Sequence, residues 1–129
     1  MASSFKDLRV WQDAIKLAVA IYGVTEKFPK HDVYGLTSQV RRAAVSVASN
    51  IAEGKGHRSS REFCNFLFHA RGSLLELQTQ LTIARELKYL PQTDAEALLG
   101  QAGAVARALN ALINAVRPEG PGQRPTTTD

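Results

Sequence analysis

The sequence predicts an all-α protein, an antiparallel up-down-up-down left-handed four-helix bundle that assembles as a ring. Apolar residues recur at alternating steps of three and four over four long segments, which is the heptad spacing of helices that pack along their length. Only short turns separate these segments, so neighbouring helices are expected to run in opposite directions. The segments also carry more apolar and small-residue surface than one bundle can bury, which predicts the ring.

The first helix is expected to begin near Leu8 and to end at Phe28 and Pro29. Trp11 lies at an apolar position of this helix, where core packing is a more common role than ligand stacking. Two adjoining stripes make a wide apolar face, so burial on more than one side is expected. The stripes are Trp11, Ile15, Ala18, Tyr22 and Thr25 in one, and Val10, Ala14, Leu17, Ile21, Val24 and Phe28 in the other.

The second helix is expected to begin at Val33 or Leu36 and to end at Glu53. Most of its remaining surface is small or apolar, so it is either central in the monomer or packed against another subunit. Gly54 and Gly56 follow it and suit a left-handed C-terminal cap, where a Cβ is unfavourable. The main apolar stripe is Leu36, Val40, Ala43, Val47 and Ile51.

The third helix, over 59–90, has the most regular heptad pattern in the chain. Ser59 and Glu62 have the spacing of a capping box at its start, and Pro91 is expected to stop it. Gly72 in mid-helix indicates close approach of another backbone, or else a crowded neighbour in the monomer core. The main stripe is Phe63, Leu67, Ala70, Leu74, Leu77, Leu81 and Ala84, and a weaker stripe, a candidate partner surface, is Phe68, Leu75 and Thr82.

The fourth helix is predicted to open at a second capping box, with Thr93 and Glu96 as its two members. Arg117 and Pro118 are expected to end it. Residues 1–117 are therefore assigned to the bundle and 118–129 to a flexible tail without apolar residues to bury. The main stripe is Leu98, Ala102, Val105, Leu109, Leu112 and Val116; a second face, which serves either close packing or solvent exposure, is Ala97, Ala104, Ala108, Ala111 and Ala115.

Three strings of residues carry a family resemblance that extends over about 5–116. They are FKDLRVWQDA at 5–14; FP at 28–29 through YGL at 34–36 and QVRRAAVS at 39–46 to IAEG at 51–54; and ARGSLLELQTQL at 70–81. In this order they resemble the four-helix-bundle proteins encoded in 23S rRNA intervening sequences. The resemblance implies a homopentamer whose helices pack around a central axis.

The same resemblance implies kinship with the accessory proteins of diversity-generating retroelements, basic pentameric barrels that bind a reverse transcriptase and nucleic acid. The family has no established catalytic residues to carry over. Many relatives place an aromatic residue between the two glycines after the second helix, where this chain has Lys55, so a base-stacking platform is missing there. The motif positions expected to serve fold and assembly are Arg41, Arg42, Glu53, Gly54, Gly72, Ser73 and Glu76.

Composition and charge limit the class of protein. The net charge is +4, and residues 1–61 carry ten Lys or Arg against five Asp or Glu, so an anionic partner is expected to meet the first half of the chain. The single cysteine, Cys64, cannot form an internal disulfide and is compatible with a reducing compartment. Apolar runs are too short to span a bilayer and no signal-peptide pattern opens the chain. We therefore expect a cytoplasmic protein without membrane contact.

Signatures of enzymes, metal sites and cofactor sites are absent from the sequence. The pair Gly54 and Lys55 lacks the other Walker positions, since Ser49 and Gly56 occupy them. Cys64 and His69 are five residues apart, about 140° around a helix, and cannot chelate a metal together. Neither His57 nor solvated His31 completes a metal pair. Glu53 and Glu76 are candidates for catalysis only if buried, and pairing with Arg41 or Arg42 across a subunit contact is the commoner role for such a residue. We predict no enzyme activity and no cofactor.

Two functions follow as expectations. In the first, a basic rim, repeated around a homopentamer, contacts RNA or DNA backbone without reading sequence; its residues are Arg41, Arg42, Lys55, His57, Arg58 and Arg61. In the second, the ring is a structural or adaptor scaffold that docks a protein partner such as a reverse transcriptase, with no direct nucleic-acid role. The expected oligomer interface contains Phe68, Gly72, Leu75 and Glu76.

Overall fold

The computed structural model describes residues 4–118, which form four long helices and no strand. They are α1 (Arg9–Thr25), α2 (Ser38–Lys55), α3 (Ser60–Glu86) and α4 (Gln92–Val116). α1 packs against α2 and α4, and α3 packs against the same two helices, with an apolar core to which all four contribute. The predicted all-α, four-helix fold is confirmed. Over this range no helix has both the length and the apolar content that crossing a bilayer requires.

α1 buries one of its two predicted stripes within the chain. A 3₁₀ turn, Phe5–Asp7, precedes it, capped by the Ser4 side chain, and Phe5 packs edge-on against the half-buried ring of Trp11 at 5.2 Å. The other stripe has exposed members, among them Ile15 and Tyr22. Burial of α1 on a second side would therefore need another molecule. The buried residues are Val10, Ala14, Leu17 and Ile21 of the first of these stripes, together with Thr25 of the other.

The connection from α1 to α2 is longer than predicted, so α2 begins at Ser38. A 3₁₀ turn, Lys30–Asp32, is followed by a π-helical turn, Val33–Thr37. The Asp32 carboxylate accepts a hydrogen bond from the Leu36 N–H at 3.1 Å, and a Cβ on Gly35 would collide with that carboxylate. Asp32 therefore caps a separate turn, which delays the regular helix.

The predicted left-handed cap at Gly54 and Gly56 is wrong. Gly56 has φ −73°, in the right-handed region, and its N–H donates to the carbonyls of the last turn of α2. Gly54 is buried inside α2, where an added Cβ would lie 2.8 Å from the Cβ of Phe66 on α3. Close approach of two helices, rather than a turn, accounts for this glycine. The buried residues of α2 are Val40, Ala43, Ala44, Val47, Ala48, Ile51 and Gly54.

The predicted start and main stripe of α3 are confirmed, but of the predicted capping box only the bond to the Ser59 hydroxyl is made, and none from the Ser59 N–H to the Glu62 carboxylate. The Ser59 hydroxyl accepts the Glu62 N–H at 3.0 Å, and a Glu62 carboxylate oxygen lies 3.5 Å from the same hydroxyl. Phe63, the first member of the predicted stripe, is half-buried. The buried residues are Cys64, Leu67, Ala70, Leu74, Leu77, Leu81 and Ala84.

α3 ends before Pro91, through a cap that the sequence did not reveal. Lys88 adopts φ 66°, the left-handed conformation. Its N–H donates to the Arg85 carbonyl at 3.0 Å, and the Tyr89 N–H donates to the Ala84 carbonyl at 2.9 Å. This is the Schellman pattern, which terminates the helix without a glycine. Pro91 instead precedes the first residue of α4.

The predicted capping box at the start of α4 is wrong. α4 begins at Gln92, after Pro91, and no side chain caps it. Pro91 is the N-cap residue, so the helix starts two residues before the Asp94 start that a Thr93 cap would give. Pro118 is the last described residue, and the rest of the predicted tail lies outside the described range. The buried residues are Ala95, Leu98, Ala102, Val105, Leu109 and Ile113, while Leu112 and Val116 of the predicted stripe are half-buried.

Candidate nucleic-acid interface

The turn between α2 and α3 carries four of the six predicted rim residues. We call Lys55, His57, Arg58 and Arg61 the basic turn. They lie together because α2 ends at Lys55 and α3 begins at Ser60, which leaves four residues to reverse the chain.

Lys55 and His57 are held by contacts inside the turn. The Lys55 ammonium lies 5.7 Å from the centre of the Phe63 ring, a cation–π geometry. The His57 ring stacks on Phe66 with centroids 4.9 Å apart and planes 18° apart, and its Nδ1 lies 3.2 Å from a Glu62 carboxylate oxygen. These two side chains therefore shape the turn in addition to any contact with a ligand.

Arg58 and Arg61 are exposed, and within residues 4–118 neither guanidinium makes a hydrogen bond or an ion pair. Their charges are therefore not neutralised by a neighbouring carboxylate. Within the basic turn, these are the two cationic side chains for which the described residues show no partner.

The other two predicted rim residues do not join the basic turn. Arg41 lies fourteen residues before Lys55 on α2, about 21 Å away along the helix axis. Its Nε donates to the Thr25 hydroxyl at 2.8 Å and its guanidinium covers the Tyr22 ring at 4.5 Å. Arg41 therefore ties α2 to the end of α1.

Arg42 faces a groove between α2 and α3. The groove has a volume of about 410 Å³ and is also lined by Ser46, Glu76 and Gln80. Arg42 and Glu76 share this groove without an ion pair between them. The predicted pairing of Glu76 with an arginine is therefore not made inside one chain, and a pairing across a subunit contact stays a prediction.

The four residues predicted for the oligomer interface lie on the outward side of α3. Leu75 is 60% exposed, and Phe68 is partly exposed with the Arg71 guanidinium 4.8 Å from its ring centre. A Cβ added to Gly72 would meet nothing within 4 Å, so crowding in the monomer core does not explain this glycine. Glu76 is exposed beside them.

A second groove, of about 540 Å³, runs beside this face. Phe68, Gly72 and Glu76 line it on α3, and Ser46 and Asn50 line it on α2. Its floor is a hydrogen bond of 2.8 Å between the hydroxyls of Ser46 and Ser73. Small polar residues therefore keep the two helices close, and the surface between them stays concave.

Two exposed features lie outside the sequence predictions. Val19 on α1 is an exposed apolar residue outside the predicted stripes, whereas Val45 on α2 is part of the small or apolar remaining surface that was predicted for that helix. Tyr34, in the π-helical turn, is 96% exposed. Val19 lies between two alanines and Tyr34 between Val33 and Gly35, so no local polarity pattern indicated that they would be exposed.

No group of three or more His, Cys, Asp or Glu side chains within 4–118 is placed to hold a metal ion. Cys64 is buried, and its Sγ lies 3.9 Å from the Ile113 carbonyl oxygen, whereas His69 is exposed. These two side chains therefore do not face a common site.

Comparison with protein families matches residues 6–111 to the model of the 23S rRNA-intervening sequence protein family. The chain belongs to this family. A crystal structure of a protein of unknown function from the S23 ribosomal protein family of Bacteroides thetaiotaomicron has a similar fold, with a TM-score of 0.73 and 20% identity over 81% of this chain and 97% of that one. At that identity the likeness concerns the fold alone. No curated protein matches the chain.

The motif positions of this 23S rRNA-intervening sequence protein have separable roles. Gly54 permits contact between α2 and α3, and Ser73 bonds across the same two helices. Arg41 joins α1 to α2. By contrast, Glu53 and Gly72 are not buried in the core. The first three positions therefore serve the fold of one chain, and the last two remain candidates for assembly.

Proposed function

We propose that this 23S rRNA-intervening sequence protein is a non-catalytic, cytoplasmic homopentamer whose basic turns contact RNA or DNA backbone without reading sequence. The observation that carries the proposal is the pair Arg58 and Arg61, exposed and without an internal partner among the described residues, at the end of two packed helices. Phosphate binding by such residues is electrostatic and requires no base contact.

An antiparallel, left-handed up-down-up-down bundle is part of the proposal. Contacts between α2 and α3 support opposite directions, because Ser46 bonds to Ser73 whereas Gly54, later on α2, meets Phe63 and Phe66, earlier on α3. Short turns join the helices in sequence. This connectivity places the basic turn at one end of the bundle, where a ring would bring its copies together.

Two exposed apolar strips support assembly. One contains Ile15 and Val19 on α1, and the other contains Phe68 and Leu75 on α3. A ring requires a heterologous interface, in which one surface of a subunit meets a different surface of the next. Five copies would each present the Arg58 and Arg61 guanidinium groups, which raises the local field well above that of one chain.

The test is a binding titration with short RNA and DNA at several salt concentrations. The double variant Arg58→Gln and Arg61→Gln should weaken binding and lower the salt slope by about 0.9 for each duplex DNA phosphate that the variant no longer neutralises. A charge-matched control is Lys16→Gln with Arg107→Gln, two exposed cations on α1 and α4, which should bind as the unmodified protein does. Absence of binding at low salt, or affinity that does not depend on salt, refutes the proposal.

The alternative function is an adaptor that docks a protein partner such as a reverse transcriptase, and the exposure of Phe68 and Leu75 favours it. Purification from the native host distinguishes the two. Recovery of a protein partner that nuclease treatment does not release favours the adaptor, whereas release of all associated material by nuclease favours nucleic-acid binding.

A further inference from the structure

A small cavity lies where the end of α1, the following turn and the start of α2 meet. Its volume is about 170 Å³, which is several times the ~30 Å³ that one water occupies in the liquid. Five of its lining residues carry polar or charged groups: Thr25, Glu26, Lys30, Thr37 and Arg41. The cavity can therefore hold a small ion of several atoms.

The Arg41 guanidinium is fixed at this cavity before any ligand arrives. It lies over the Tyr22 ring, and its Nε donates to the Thr25 hydroxyl. That hydroxyl donates in turn to the Ile21 carbonyl at 2.7 Å. The side chain of Arg41 is only 25% exposed. Its outer N–H groups make one contact, a long one of 3.5 Å from Nη2 to a Glu26 carboxylate oxygen.

Thr37 supplies an independent indication that the cavity binds a polar ligand. The residue is 4% exposed, and its hydroxyl has no hydrogen-bond partner within the described residues. Buried hydroxyls are nearly always paired, since an unmade hydrogen bond away from water is unfavourable. Thr37 is one of the residues that line the cavity, so a small movement of its buried side chain would bring the hydroxyl to a ligand atom.

The charges around the cavity favour an anion. Arg41 and Lys30 are both cationic and attract an anion. Glu26 opposes this attraction, but its side chain is 75% exposed, so the carboxylate can turn into water when another anion takes its place on Arg41.

We infer that this cavity binds a phosphate group, with Arg41, Lys30 and the Thr37 hydroxyl as donors. Two cationic side chains and a hydroxyl line the same cavity, and such a set of donors suits an oxyanion. Arg41 is about 21 Å along α2 from Lys55, so the site is separate from the basic turn and does not depend on its proposed function. The phosphate is inorganic or belongs to a nucleotide or to the 5′ end of a nucleic acid.

The test is isothermal titration of the full chain with inorganic phosphate, at an ionic strength held constant with chloride. The unmodified protein should show saturable binding. Thr37→Val, which keeps the shape and removes the hydroxyl, should weaken binding by about tenfold, and Arg41→Gln should abolish it. Arg42→Gln, of equal charge change on the neighbouring residue, lines a different groove and should leave binding unchanged.

Because Arg41→Gln also removes contacts to Tyr22 and Thr25, Glu26→Gln provides a second criterion. It removes the competing carboxylate and should tighten phosphate binding, an effect that a purely structural role would not produce. Absence of saturable binding, equal affinity in Arg41→Gln and the unmodified protein, or weaker binding in Glu26→Gln overturns the inference.

Two further comparisons identify the source of the phosphate and separate the two sites. The same titration is repeated with a nucleoside 5′-monophosphate and with oligonucleotides that have 5′-phosphate or 5′-hydroxyl ends. The compound that binds with the highest affinity indicates the natural source of the phosphate. The double variant Arg58→Gln and Arg61→Gln should retain inorganic phosphate binding. Abolished binding in that variant would assign the phosphate to the basic turn and refute the cavity site.

Discussion

Replacing Gly54 with alanine tests whether close helix contact, and not a turn, requires this glycine. The new Cβ would lie 2.8 Å from the Phe66 Cβ, 3.0 Å from the Phe63 Cδ1 and 3.1 Å from the Phe63 carbonyl oxygen. The first and last of these atoms are attached to the backbone of α3 and cannot rotate away. Relief therefore requires that α2 and α3 separate.

The magnitude follows from two opposing effects. Overpacking a tight core costs about 1–3 kcal/mol, and the fixed contacts place Gly54 at the upper end. Alanine in place of a helical glycine gains about 1 kcal/mol. Gly54→Ala should therefore lower the free energy of unfolding by about 2 kcal/mol.

The assay is urea denaturation followed by far-UV circular dichroism at one fixed protein concentration. The control is Gly100→Ala on α4, where a Cβ meets nothing within 4 Å, so only the gain of about 1 kcal/mol applies. The two variants carry the same chemical change and should shift the midpoint in opposite directions. A Gly54→Ala protein at least as stable as Gly100→Ala would refute the steric argument.

Three further predictions concern the turn, the cap and the assembly. Burial, together with the hydrogen bond and charge of Asp32, raises the pKa of Tyr89, so the fold favours the neutral phenol. The resulting stabilisation is complete below about pH 10 and should be lost as the pH rises through the raised pKa. Thermal melts at several pH values should show a weaker pH dependence for Tyr89→Phe, and an unchanged profile would contradict this. Ser59→Ala removes the N-terminal cap of α3 and should cost about 1 kcal/mol in denaturant unfolding; an unchanged stability would show that the cap is dispensable. Leu75→Arg should reduce the mass measured by light scattering, whereas Ile83→Arg, also exposed on α3, should not; equal masses for both variants count against the proposed interface.

Local sequence patterns predicted those features whose causes lie within a few residues of each other. The α3 cap is one, because Ser59 and Glu62 are three residues apart and the Ser59 hydroxyl accepts the Glu62 N–H. The basic turn is another, since Arg58 and Arg61 belong to one short connection. The separation of Arg41 from Lys55 was also accessible from the helix rise alone, and grouping them in one rim overlooked it.

Other candidate-site features depend on residues distant in sequence. The fold brings the unpaired Thr37 hydroxyl to the same cavity as Arg41 and Thr25. Only this tertiary arrangement makes Thr37 part of a candidate site. The stacking of His57 on Phe66 depends on the angle at which α3 leaves the turn. No periodicity in the sequence contains that information.

The sequence by itself determined the number of helices, the buried faces of α2 and α3, and the position of the basic turn, because heptad spacing and local caps act within single segments. Tertiary structure decided why Gly54 is a glycine and which stripe of α1 faces the core. Each of these depends on a surface supplied by another part of the fold, and a helix cannot specify alone which of its faces a neighbour will cover.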